Sequence, residues 1–232
     1  MQLFGILSAL GVIVIGFVDR SREMGAFDPV ALFIIILGMA GAIILSSRPR
    51  DTLQTLKSVL EIIPFVAKYG KESDSMEVQR KEIEDLWVDG KKTEALAVAE
   101  QSTYTPVKIM MDHILSRSDD ARLDNRFTAL GHECVDKWEP TLGNWELMAK
   151  LGPAFGMVGT LTGMIKLFKD FGASDANLGA NLSLALLSTL YGLVLGAGIA
   201  GPIGHYISTI MNQRVMVLKR CYKTAKQLIK MG

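Results

Sequence analysis

Leu151–Pro202 reads LGPAFGMVGTLTGMIKLF, a short polar turn, then NLSLALLSTLYGLVLGAGIAGP, and it restricts the chain more than any other stretch. Two apolar helices fit here, joined by a loop around Asp170–Asn177. Each is long enough, or nearly so, to cross a hydrocarbon core of about 30 Å at about 1.5 Å per residue. Gly152, Gly156, Gly159 and Gly163 recur three or four residues apart, so one face of the first helix is almost bare backbone. Gly192, Gly196 and Ala200 repeat every four residues on the second. Small residues at this spacing let helices approach closely in a membrane, where van der Waals packing replaces the hydrophobic drive. Thr160, Thr162, Ser188 and Thr189 sit inside these helices. A hydroxyl in hydrocarbon needs a partner: the carbonyl four residues earlier, another helix, or a passing ion. With Pro153 and Pro202 near one membrane face, counting along the helices puts Thr160 and Thr189 in the middle part of the bilayer.

The rest of the chain extends this pattern. Apolar residues, 49% of the 232, concentrate in 1–18, 29–47, 151–168 and 182–204. The expected fold is all-α: an integral membrane protein with four transmembrane helices and a helical cytoplasmic domain. Met1–Val18 has no positive start and no A-x-A-like cleavage site, so it reads as a retained span and not a signal peptide. After the polar turn Asp19–Asp28, Asp28 caps a second span that Pro29 opens, and Arg48-Pro-Arg-Asp ends it. The domain reading is residues 1–47 for spans one and two, 48–150 for the cytoplasmic domain, 151–204 for spans three and four, and 205–232 for a C-terminal amphipathic helix.

Within the domain, Glu77–Gln101 reads as two helices broken at Asp89–Gly90. Thr105-Pro106 opens a third, carrying Val107, Met110, Met111, Ile114 and Leu115, and Leu123–Leu147 is amphipathic with a bend at Pro140. Fifteen of the 25 Lys and Arg residues fall in 48–150 and six more in the tail, against Arg20, Arg22, Lys166 and Lys169 near the short loops. The positive-inside rule then places both termini in the cytoplasm.

Several chemistries are excluded. Lys+Arg 25 against Asp+Glu 24 argues against nucleic-acid binding. No phosphate loop is present, and His113, His132 and His205 lie far apart, so neither an enzyme nor a metal or cofactor site is expected. Cys134 and Cys221 read as reduced thiols. The four apolar blocks contain no Asp or Glu. Ion routes in membranes normally use an ionisable group, so an ion route built on this chain has to borrow its carboxylate.

GPAFGMVGTLTGMIKLF followed by ALLSTLYGLVLGAGIAGPI resembles the third and fourth helices of MotA-type stator subunits of the MotA/TolQ/ExbB ion-channel family. The P-x-x-G-x-x-G-T-L core and the T-L-Y-G run carry the likeness over about fifty residues. The resemblance implies an ion-conducting stator subunit of a bacterial flagellar-type motor in the inner membrane, coupling proton flow (alternatively sodium) to rotation. It implies a MotB-type single-span partner that supplies an aspartate, a homopentamer around two partner helices, and a cytoplasmic rotor protein.

By position, Thr160 and Thr189 match the hydroxyls facing the ion route, and Ser188 stands where many relatives have threonine. Pro153 and Pro202 match prolines at the inner helix ends, read as gating or hinge positions. Gly156, Gly159, Gly163, Gly192 and Gly196 are expected to pack against the partner helices. Val78–Glu100 departs towards the style of the TolQ/ExbB branch. Its charges Arg80, Lys81, Glu82, Glu84 and Asp85 form either a rotor contact or a solvated face. The alternative function is therefore a TolQ/ExbB-like energy transducer driving an envelope process; a non-conducting membrane scaffold is a third reading.

Overall fold

The computed structural model describes residues 29–62, 69–116, 119–169, 171 and 178–231, and these are helical almost throughout, with no strand among them. The first expected span and the turn after it lie outside the described residues. The helices are α1 (Pro29–Ser46), α2 (Pro49–Ser58) with a 3-10 turn Val59–Ile62, α3 (Tyr69–Val88), α4 (Lys92–Gln101), α5 (Thr105–Ser116), α6 (Asp120–Lys169), α7 (Leu178–Leu193), a π-helical segment Val194–Ala200, and α8 (Gly201–Met231).

The chain divides into two compact units, residues 1–59 with 140–205, and residues 60–139 with 206–232. Two helical runs pass through positions where the sequence suggests breaks. Leu123–Leu147 and the third span are one 50-residue helix, α6, which keeps both Pro140 and Pro153 inside it. The expected fourth span and the tail likewise follow on through Val194–Ala200 into α8 without a loop. A proline removes one main-chain donor and crowds the carbonyl four residues back, but packing on neighbouring helices can hold the helix together across it. Two continuous helical stretches are long and apolar enough over part of their path to cross a membrane, α6 and the run Asn181–Lys230 that takes in most of α7, the π-helical segment and α8, and α1 is a shorter apolar helix.

In the first unit, α1 buries Ala31, Ile35, Met39 and Ile43 at four-residue spacing. Ala31, Ile35 and Met39 of this stripe pack with Met148, Leu151 and Phe155 of α6 and Leu187 and Tyr191 of α7. Gly38 allows the approach, since a Cβ there would lie 2.9 Å from the Phe155 ring. The other faces of α1 leave Phe33, Ile34, Leu37 and Leu45 exposed, as suits a helix whose surroundings are lipid or protein.

The second unit is an amphipathic bundle. Met76 and Ile83 of α3, Val107, Met110 and Ile114 of α5, Leu123 and Phe127 of α6, and Leu218, Cys221 and Leu228 of α8 share its core. Leu115, read with the apolar face of α5, is 55% exposed instead. The α3–α4 turn falls at Asp89–Gly90: Gly90 takes φ +78°, and Lys91 N–H donates to Leu86 O at 2.9 Å. A left-handed glycine just past the last helical turn closes a helix this way. Burial pushes the Cys221 thiol up to about 12 and raises the Cys134 thiol as well, so both are weak nucleophiles.

Candidate functional site

The site is the seam between α6 and α7. Gly152, Gly156, Gly159 and Gly163 on α6 face Gly192 and Gly196, Ser188 and Thr189, Ser188, and Ala185 in turn. A Cβ on Gly156 would lie 3.0 Å from Ser188 O and from Thr189 Cα, and one on Gly152 would lie 2.6 Å from Gly196 Cα. The two backbones touch. The glycines expected to pack on partner helices thus form the contact between two helices of the same chain. Pro153 joins the seam, its ring Cδ 2.7 Å from where a Gly196 Cβ would sit. Ala149 O, whose helical donor Pro153 cannot supply, is 3.0 Å from that same position. A bare Gly196 is what lets the freed carbonyl and the ring fit.

This approach brings Thr160 and Thr189 together, their hydroxyl oxygens in direct hydrogen-bond contact. Thr160 Oγ1 also lies 3.1 Å from Gly156 O on its own helix and 3.1 Å from Ala185 O on the other. Thr189 Oγ1 reaches Gly156 O at 3.5 Å. Each threonine therefore reaches the carbonyl one turn before its counterpart. Two hydroxyls bring only two protons to this group of four oxygens, which makes it rich in acceptors. Thr162 is exposed and bonds back along its own helix, to Val158 O and, at 3.3 Å, to Gly159 O. Ser188 is 4% exposed and seated over Gly159. Pro202 follows the π segment, where Gly201 N–H donates to Gly196 O, five residues back.

A second polar group was not anticipated from sequence. Asn144 of α6 accepts from the Ser47 hydroxyl and donates to Thr55 Oγ1 at 2.8 Å, and Trp145 Nε1 donates to Ser58 Oγ at 2.9 Å. This clasp fixes α2 to α6. Thr55 and Ser58 share one face of α2 while Leu53 and Leu56 stay exposed, and that pattern was the available signal.

Among the charges of α3, Arg80 is 7% exposed and so neither solvated nor open to a rotor. It forks onto Glu77 at 3.0 and 3.1 Å, pairs with Glu84, and donates to Thr224 Oγ1 at 2.8 Å. Lys81, Glu82 and Asp85 are exposed. Burial drives the Glu77 carboxyl up, but Arg80 and then Arg220 more than offset this and hold it below the usual carboxylate range. The fork to Glu77 in turn raises Arg80.

Apolar helices, a glycine seam and a hydroxyl–carbonyl cluster within it are the features that the site presents. Residues 98–220 match the model of the MotA/TolQ/ExbB proton channel family. Motility protein A of Aquifex aeolicus is 35% identical over 97 residues, 42% of this chain and 37% of that protein, so the match spans little more than a third of the relative's length. The Bacillus subtilis protein YtxD is 26% identical over 94% of this chain and 84% of its own length. The fold matches C. jejuni MotAB with a TM-score of 0.79 at 14% identity, covering 99% of this chain and 89% of that one.

The chain belongs to the MotA/TolQ/ExbB proton channel family. Within it the likeness is to the MotA-type subunits.

Proposed function

We propose that this chain is the ion-conducting stator subunit of a flagellar-type motor. The observation that carries the reading is the Thr160–Thr189 pair, held on a glycine seam between apolar helical stretches, 151–168 and 182–204, that contain no Asp or Glu. A single-span MotB-type partner brings an aspartate beside this pair. The carboxylate takes up a proton there, and neutralising it removes the cost of a buried charge and permits a step of the ring. Five copies surround the partner helices, in the inner membrane, with four spans per chain and both termini in the cytoplasm. The exposed charges Lys81, Glu82 and Asp85 are the surface left for a rotor. The motility proteins among the relatives favour this reading over an envelope energiser.

The test is reconstitution into liposomes of the chain with a MotB-type single-span subunit, with internal pH and sodium followed after a gradient is imposed. Proton flux that needs both subunits and collapses when the partner's aspartate becomes asparagine supports the proposal. No ion flux from the assembled complex overturns it. A reporter after Gly232 and one near Ser73 both reading as cytoplasmic supports the topology, and a periplasmic signal from either overturns it.

A further inference from the structure

The π segment and Pro202 together leave the Ala197 carbonyl without a helical donor. In an α-helix, Ala197 O is paired by the N–H of Gly201, but that N–H is given to Gly196 O. In a π turn the donor to Ala197 O is residue 202, and residue 202 is proline, which has none. Neither register serves this carbonyl. Ala197 and Gly198 are exposed on the chain surface. The neighbouring glycines are not packed tightly: a Cβ built on Gly198 would come no nearer than 3.8 Å to Leu193 O, and one on Gly201 no nearer than 3.8 Å to Gly196 O and 4.0 Å to Ala149 Cβ, their own adjoining backbone aside.

Its position makes this consequential. Ala197 is seven residues inside the apolar block that ends at Gly204, about 10 Å at helical rise. Lipid offers no donor at that depth. An unpaired main-chain oxygen persists in a membrane only where it is buried in protein or lines a water-filled cavity. Ala197 also lies eight residues, about 12 Å, beyond Thr189 along the same helix, on the side of Pro202. The apolar blocks contain no carboxylate, so an ion leaving the threonines finds only hydroxyl and carbonyl oxygens on this chain.

We infer that the Ala197 carbonyl is a further oxygen ligand of the conducted ion, or of the water that carries its charge, inward of Thr160 and Thr189. This rests on the reading of the chain as a conducting subunit. The π segment and Pro202 act together: the first diverts the N–H of Gly201, the second withholds its own, and the oxygen between them stays available. π turns inserted in α-helices recur at functional sites for such reasons.

The test replaces Gly198 by glycolic acid through nonsense suppression. This turns the 197–198 amide into an ester and weakens Ala197 O as an acceptor without adding an atom. The control places glycolic acid at Gly196, which weakens Leu195 O, a carbonyl that Ala200 N–H can pair in the π register. Both variants are co-assembled with the single-span partner, and flux and oligomer size are compared with the unmodified complex. The expected result is a flux loss of about fivefold or more for the ester at 198, little change at 196, and unaltered oligomer size. Equal flux in all three overturns the inference while leaving the channel reading intact. A ring that falls apart only with the ester at 198 also overturns it, since the oxygen then pairs with a neighbouring chain. An unmodified complex that conducts nothing removes the underlying reading instead.

Discussion

Thr160 Oγ1 lies 3.1 Å from Ala185 O, the carbonyl one helical turn before Thr189. Thr160 and Thr189 therefore do more than fold back on their own helices, and their replacement by valine is informative. Valine keeps the shape, and the seam is made by the glycines, so assembly should survive. The hydroxyl oxygens disappear, and a polar group left unpaired in a dry site costs about 1–3 kcal/mol, about a fivefold to hundredfold change in occupancy. Ion flux or motor speed at matched expression should fall by that factor in Thr160→Val and in Thr189→Val. The double mutant should fall by less than the product of the two, because the residues share one cluster. Unchanged flux in all three removes the threonines from the route.

The glycine seam predicts a contrast between two Gly→Ala changes. A Cβ on Gly156 meets backbone of α7 at 3.0 Å, whereas one on Gly41 meets nothing within 4 Å. Backbone cannot swing aside as a side-chain end can, so Gly156→Ala should part α6 from α7 at about 1–3 kcal/mol. Gly41→Ala should be neutral or stabilising by up to about 1 kcal/mol, since alanine is the better helix former. Thermal unfolding in mild detergent compares them, and equal midpoints would refute the seam.

These contrasts also show what could be read beforehand. Counting along the helices puts Thr160 and Thr189 at similar depth, but their direct contact is seen only in the fold. Helix positions, the Gly90 turn and the small-residue faces follow from local periodicity. The continuity of α6 through Pro153 and of the fourth span through Gly201–His205 does not, because proline and a polarity change look like ends and only packing shows otherwise. No residue pattern announces a π segment, since it depends on which carbonyl Gly201 takes. Arg80 looked like surface charge because its partner Thr224 is 144 positions away. The clasp on α2 joins residues 89 positions apart.

That clasp should respond to Asn144→Leu. The substitution removes both bonds Asn144 makes, to Ser47 and to Thr55, although the Thr55 hydroxyl retains Asp51 O at 2.7 Å. The cost should be about 1–3 kcal/mol, felt mainly as release of α2. Lys57, exposed on that helix, reports it: trypsin should cleave there several-fold faster in the mutant. Trp145→Phe, which loses only the bond to Ser58, should give a smaller acceleration. Identical cleavage rates would mean that α2 is held by its apolar contacts alone.

The Glu77–Arg80 fork makes a prediction about acid. Glu77 has its carboxyl held below the ordinary value of 4.5 in the folded chain. A group lowered on folding contributes stability that is fully present above its unfolded pKa and is lost as the pH falls through the folded one. Glu77→Gln leaves Arg80 buried with Glu84 and Thr224 but without its bidentate partner, and should cost about 2 kcal/mol near neutral pH. The gap between wild-type and Glu77→Gln unfolding midpoints should hold steady from about pH 8 to 6, narrow below about 4.5, and close once the native carboxyl is protonated. Burial alone acts the other way: were it dominant, the native carboxyl would titrate above 4.5 and the gap would already narrow at higher pH. Unfolding followed by circular dichroism at half-unit pH steps distinguishes the two, and a gap independent of pH would show that the fork contributes packing and not charge.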